Sequence, residues 1–154
     1  MKQPPHGTGK PGRRKEPAAP DQKDEARILI ASDLDILTAR TRGRSMAQQI
    51  GFSSGNLTLI ATAISELARN ILLYARRGDL ILERVSENGR EGIVVVAVDE
   101  GPGISDVGKA LEIGYSTSGS LGLGLPGVRR LMDEFEIVSR VGKGTTVTAR
   151  KWKR

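Results

Sequence analysis

The sequence predicts an α+β fold, a two-layer α/β sandwich with a mixed, mostly antiparallel sheet covered by helices on one face. Three observations lead there. Strand-length apolar runs and helix-period segments follow one another as β-α-α-β-β-α-β-β. That order lacks the strict alternation a doubly wound parallel sheet requires. Two long helices stand side by side near the start, and short turn signals separate the paired strands later on.

"ARILIAS" (26–32) is a short apolar run suited to a strand, and Asp33 after it is expected to cap the next helix. "DLDILTARTRGRSMAQQIG" has helical spacing through Leu34, Leu37, Met46, Ala47 and Ile50. Gly43 weakens its middle and Gly51 ends it. The strongest helix is "SSGNLTLIATAISELARNILLYARRG", where Leu57, Ile60, Ile64, Leu67 and Ile71 recur at threes and fours and Gly78 is expected to close it. "DLILERVSENG" and the β-branched run Ile93–Val98 read as two strands joined at Asn88-Gly89, a strong hairpin signal. "LPGVRRLMDEF" reads as a helix with Pro126 in its first turn. "FEIVSRVGKGTTVTARKW" reads as two strands around a glycine-rich turn.

Ahead of this lies a different composition. Residues 1–25 hold five of the seven prolines and almost no large apolar side chain. Such a segment buries too little surface to offset chain entropy, so it is expected to be a disordered basic tail, with the domain spanning 26–154. The net charge of +6 divides evenly: residues 1–24 carry six basic and three acidic side chains, +3, which leaves +3 for the remainder. Nucleic-acid binding is not expected, because aromatics amount to 3% and no basic stripe is interleaved with them. No apolar run approaches the roughly 18–20 residues of a membrane span, and no secretory signal opens the chain. Cysteine is absent and the single histidine is His6, which rules out thiolate sites and histidine dyads in the folded part.

Four stretches carry potential chemistry. Glu66 and Asn70 lie four apart, on one face of the long helix and at the edge of its apolar side. A carboxylate accepts a hydroxyl proton, and an amide oxygen is a hard ligand suited to Mg²⁺ on phosphates. In "DEGPG", Asp99 ends a buried strand and needs a partner, for which an adenine amino group is a natural donor. Gly101 and Gly103 beside it allow a flat ring to approach the backbone. In "GSLGLGLPGV", Gly122 and Gly124 lead into a helix N-terminus, whose free N–H groups favour phosphate. Neither a P-loop nor a strand-borne dinucleotide fingerprint is present. "GKGTTV" reads by itself as a hairpin turn entering a strand; the Thr145 hydroxyl is available to a base, but this stretch does not argue for one alone.

Taken in order, ELxxN on a helix, DxGxG after a strand, GxGLP before a helix and GT before a strand resemble the Bergerat-type (GHKL) ATP fold over about residues 26–153. Other branches of that superfamily need further domains or a phosphoacceptor histidine. "SELARNILLYA", "GYSTSGSLGLGLPGVRRLMDEF" and the closing "ARKW" are similar to the small serine/threonine kinases of partner-switching modules, above all the RsbT-type switch kinases of the stressosome. The resemblance implies a cytoplasmic ATP- and Mg²⁺-dependent kinase in which Asp99 receives the adenine and Thr145 supports it. It further implies that Asn70 holds Mg²⁺, that Glu66 acts as base, and that Gly101, Gly103, Gly122 and Gly124 shape the pocket and its lid. The implied partners are STAS-domain scaffold or antagonist proteins as substrates, and a PP2C-type phosphatase or other output protein activated by docking. Two alternatives use the same pocket: an anti-sigma factor that sequesters a sigma factor, and a co-activator that works by docking alone.

Overall fold

The computed structural model describes residues 24–112 and 124–154. Strand β1 (Glu25–Ile30) is followed by helices α1 (Asp33–Ile50) and α2 (Ser54–Ala75), then by the hairpin of β2 (Gly78–Glu87) and β3 (Arg90–Asp99). A short helix α3 (Val107–Ala110), helix α4 (Gly124–Leu131) and strands β4 (Glu134–Arg140) and β5 (Gly144–Trp152) complete the described part. The strands form one sheet in the order β1-β2-β3-β5-β4, and every neighbouring pair is antiparallel. The sheet expected to be mixed and mostly antiparallel is therefore antiparallel throughout. Of the tail expected over residues 1–25, residues 1–23 lie outside the described residues, and Glu25 belongs instead to β1, paired with Glu83.

The layers follow from the period-2 pattern. Leu80 and Leu82 of β2, Ile93, Val95 and Ala97 of β3, and Val147 and Ala149 of β5 alternate inward and join the core with Ile60, Ile64, Leu67 and Ile71 of α2. The opposite positions at the two edges, Leu29 and Val138, are exposed, as a sheet covered on one face requires. By length and mean hydropathy, α2 alone among the described helices is long and apolar enough to cross a membrane, although no uninterrupted apolar run suggests it. Half of that stretch is buried inside the fold, with its apolar side laid on the sheet.

Several local expectations are corrected. Ser32, not Asp33, is the N-cap of α1: Ser32 is extended at φ −154°, and Asp33 is already helical. Asp35 secures this end by accepting from the backbone N–H groups of Ala31 and Ser32 at 2.8 and 3.0 Å. Gly43, a weak point on propensity alone, is buried where α1 crosses α2. A Cβ there would lie 2.1 Å from Cδ1 of Ile64, so the glycine sets the helix spacing. Helix α2 ends at Arg76, which adopts the left-handed conformation (φ 72°), rather than at Gly78. Gly78 instead opens β2, where a Cβ would meet the Val98 carbonyl oxygen at 2.5 Å. The Asn88-Gly89 turn has positive φ at both residues, as a two-residue hairpin of this chemistry demands.

The basic C-terminus is built into the fold. Lys151 Nζ donates to the Leu131 carbonyl oxygen at 2.7 Å, tying the end of α4 to β5, and Lys153 Nζ donates to the Ile50 carbonyl at the end of α1. Arg154 pairs with Asp133, and Arg150 with Glu134. Asp133 also accepts from the Trp152 backbone N–H at 2.8 Å. Burial pushes the Asp133 carboxyl up, but that N–H together with Lys151 and Arg154 outweighs it, and the net displacement is downward.

Candidate functional site

A cavity of about 320 Å³ opens between α2 and the sheet. Asn70, Ile71 and Tyr74 line it from α2, Ala97 and Asp99 from β3, and Thr145 and Val147 from β5. The segment Pro102–Asp106 and the start of α4 close its sides. The size lies at the lower end of the roughly 300–1,000 Å³ usual for small-molecule sites, and the mixture of apolar walls with a few polar groups is typical of them.

Its floor is set by strand register. Asp99 is the last residue of β3 and pairs directly with Thr145 at the start of β5. This close crossing requires glycine at 144: φ is 112°, and a Cβ would stand 2.1 Å from the Asp99 carbonyl oxygen. Oδ1 of Asp99 accepts from the Gly101 N–H at 2.9 Å, and no other donor to this carboxylate is found among the described residues. Gly101 does not line the cavity. Its bare Cα packs on Ala75, where a Cβ would come within 2.6 Å of the Ala75 Cβ. Gly103 does line it, at φ 79°, and its lack of a side chain accommodates the Arg140 carbonyl, 2.2 Å from a would-be Cβ. Both glycines were expected to admit a ring. The close approaches they permit are to the protein's own chain, which holds this loop behind Asp99.

One participant was missed from the sequence. The Ser139 hydroxyl accepts from the Ile104 backbone N–H at 2.7 Å, donates to the Gly144 carbonyl at 3.2 Å and lies 2.7 Å from Oγ1 of Thr145. It thereby joins the loop after β3, the β4–β5 turn and Thr145. A signal existed: in "EFEIVSR" the alternation places Ser139 inward after Phe135 and Ile137, where an apolar residue is the rule.

The opposite end of the cavity is made by helices. Asn70 lines it; Glu66, one turn earlier, does not. Glu66 is buried, 8% exposed, and its Oε1 accepts from the Gly124 N–H at 3.2 Å. Gly124 is the first residue of α4 and has φ 48°. The two residues expected on one edge thus have different surroundings, Asn70 in the cavity and Glu66 at the joint of α2 and α4. Gly122 lies outside the described residues. Among the described residues, no three His, Cys, Asp or Glu side chains gather into a metal cage. A neutral Asn70 amide in the cavity wall fits Mg²⁺ only as that ion is carried in on phosphates, since it keeps most of its ligands from water and phosphate. For a nucleotide, the free acceptor capacity of Asp99 at the floor and the α4 N-terminus at the rim are the matching features.

Residues 30–151 match the model of the histidine kinase-like ATPase domain. The chain is 50% identical over 131 residues to the serine/threonine-protein kinase RsbT of Bacillus subtilis (strain 168), covering 85% of this chain and 98% of that protein. It is 31% identical over 119 residues to the anti-sigma F factor of Thermoanaerobacter sp. (strain X514), covering 74% and 82%. Among solved structures, the mycobacterial sensor histidine kinase MprB shares the fold with a TM-score of 0.51 at 16% identity, over 84% of this chain and 98% of that one. The chain belongs to the histidine kinase-like ATPase domain family, on its branch of partner-switching serine/threonine-protein kinases.

Proposed function

We propose that this kinase binds Mg·ATP with its adenine on Asp99 and passes the γ-phosphoryl group to a serine or threonine hydroxyl of a STAS-domain scaffold or antagonist protein in the cytoplasm. The observation that carries this reading is the cavity with Asp99 paired to Thr145 at one end and Asn70 at the other. Asp99 accepts the adenine amino hydrogen, and Thr145, steadied by Ser139, supports the base. Asn70 contributes its amide oxygen to Mg²⁺. Once bound, the nucleotide and its metal supply the transferable group and neutralise charge developing on it.

Glu66 is the base. The Gly124 N–H occupies Oε1, so Oε2 takes the hydroxyl proton. That same bond keeps the carboxylate oriented at the head of α4, where the helix dipole favours a negative charge. Gly103 and Gly124 shape the walls, and Gly101 braces the floor from behind. After release from its scaffold, the kinase docks on and activates a PP2C-type phosphatase or another output protein.

The test is transfer of label from γ-labelled ATP in an extract of the source organism, with the purified protein or its Asp99→Asn variant. A STAS-domain protein labelled on serine or threonine, and unlabelled with the variant, is the expected result. Absence of transfer with a sigma factor retained on the immobilised protein replaces the kinase reading with the anti-sigma one.

A further inference from the structure

Ser139, Thr145 and Asp99 occupy one row across three neighbouring strands. Ser139 of β4 is the register partner of Thr145 of β5, which in turn is the partner of Asp99 of β3. Asp99 and Thr145 line the cavity, and Ser139 stands behind them. The next inward row, Ile137, Val147 and Ala97, is apolar and belongs to the core or packs on it. Two hydroxyls and a carboxylate thus end the apolar face together, and their hydrogens decide what the cavity floor can bind.

Those hydrogens follow from counting. A serine hydroxyl has one hydrogen to give and two lone pairs with which to accept. Oγ of Ser139 accepts from the Ile104 N–H at 2.7 Å. The Gly144 carbonyl, at 3.2 Å, can only accept, so the Ser139 hydrogen is directed there. One lone pair of Ser139 then remains for Oγ1 of Thr145 at 2.7 Å, and Thr145 fills it with its own hydrogen. Only this arrangement turns all three contacts of Ser139 into hydrogen bonds; reversing the last leaves the Gly144 contact without a hydrogen. Thr145 therefore shows the cavity lone pairs alone. Asp99 beside it is also an acceptor, and among the described residues it receives only the Gly101 N–H.

Resting on the reading of Asp99 as the adenine acceptor, we propose that Ser139 is a specificity-determining residue that acts through Thr145. By holding the Thr145 hydrogen it makes the floor acceptor-only, which suits an exocyclic amino group and rejects a 6-oxo purine. Directly opposed residues on neighbouring strands have Cβ atoms about 4.5–5.5 Å apart. Two acceptors bonded to the two hydrogens of one amino group, each at about 2.9 Å, stand about 5 Å apart. The adenine amino group gives one hydrogen to Asp99 and one to Thr145. A 6-oxo base sets a carbonyl oxygen against two acceptors with no hydrogen between them.

The test is calorimetry on the full-length protein with Mg·ADP and with Mg·IDP, the 6-oxo counterpart, neither of which can donate a γ-phosphoryl group. Ser139→Ala frees the Thr145 hydrogen to turn into the cavity and meet the 6-oxygen. IDP is then expected to bind roughly 3–10-fold more tightly, the equivalent of one neutral hydrogen bond, while ADP does not gain. Thr145→Val also narrows the preference for ADP, and adding Ser139→Ala to Thr145→Val changes it no further. Any loss of folded protein lowers both nucleotides alike and leaves their ratio intact. An unchanged ratio in Ser139→Ala overturns the proposal and leaves Ser139 a structural clasp. A ratio that still shifts in the Thr145→Val background overturns it as well, because Ser139 then acts by another route. If the unaltered protein holds ADP and IDP equally, the adenine assignment to Asp99 fails and the proposal with it. If it prefers ADP and only the Ser139 variants behave otherwise than expected, the adenine assignment stands and Ser139 alone fails.

Discussion

The two ends of the cavity are built differently. At the Asp99 end, three strands meet in fixed register, Gly78 opposite Asp99 and Asp99 opposite Thr145, and Gly144 and Gly103 permit backbone contacts that a single methyl group would break. At the Glu66 end, a helix side chain meets the first residue of another helix through one hydrogen bond of 3.2 Å. A ladder of backbone bonds shares any strain among many partners; a single bond does not. The floor is accordingly the more rigid of the two ends.

Substitutions that separate these ends test the comparison. The largest effect is expected at the helical end. Glu66→Ala retains nucleotide affinity and loses roughly 10²–10⁴-fold in transfer rate, the range for a positioned base; full-rate transfer would leave Glu66 a structural tether for α4. Next comes the floor. Asp99→Asn weakens nucleotide binding by roughly 10–100-fold, since a charged acceptor becomes an amide that can present its donor to the adenine amino group. Calorimetry with ADP checks this, and unchanged affinity would remove the adenine from Asp99.

Gly144→Ala probes the rigidity of the floor itself. A Cβ there stands 2.1 Å from the Asp99 carbonyl at a φ of 112°, so a loss of about 2 kcal/mol in denaturant unfolding is expected, accompanied by weaker nucleotide binding. Glycine at 142 is the control: its φ of 79° carries backbone strain, but no atom lies within 4 Å of a Cβ, and Gly142→Ala is expected to cost less and to spare affinity.

Smaller still is the effect at Asp133, which anchors the far end of α4. Its folded pKa is lowered, so the stability it contributes is present above the unfolded carboxyl value and is lost as pH falls through the folded one. Asp133→Asn should destabilise by about 1–2 kcal/mol at pH 7 and converge with the unaltered protein as both are acidified below the usual carboxylate range. Melts across pH 2–7, values set by the ordinary carboxyl range, would show parallel curves if Asp133 were merely solvated. The smallest effect is expected for deletion of residues 1–23, which should leave Tm and nucleotide affinity within error. Asp24 must be kept, because its carbonyl accepts from the Arg84 N–H at 2.7 Å.

Much of this was legible in the chain. The period-3.6 run of α2 and the period-2 runs of β2–β5 are strong signals, because each buries one continuous apolar side. Asp99, Asn70 and Thr145 were recognisable because polar residues stood where an apolar strand or helix side ended. Boundaries were less legible: the end of α2 was expected at Gly78, yet Arg76 takes the left-handed cap. Local preference for glycine there was overridden by the packing demand on Gly78 from Val98 and Ile71.

By itself, the sequence determined the order of elements apart from the short helix α3, the antiparallel pairing around Asn88-Gly89 and the residue types that make up the cavity. These follow from short-range rules, periodicity and turn chemistry, that act within a few positions. Only the tertiary structure decided that Ser139 clasps Thr145 and Ile104, that Gly101 and Gly103 serve the protein's own packing, and that Glu66 meets Gly124 across 58 positions of chain. Those contacts depend on which surfaces the folded layers bring face to face, and neither periodicity nor turn chemistry encodes a distance between residues so far apart in sequence.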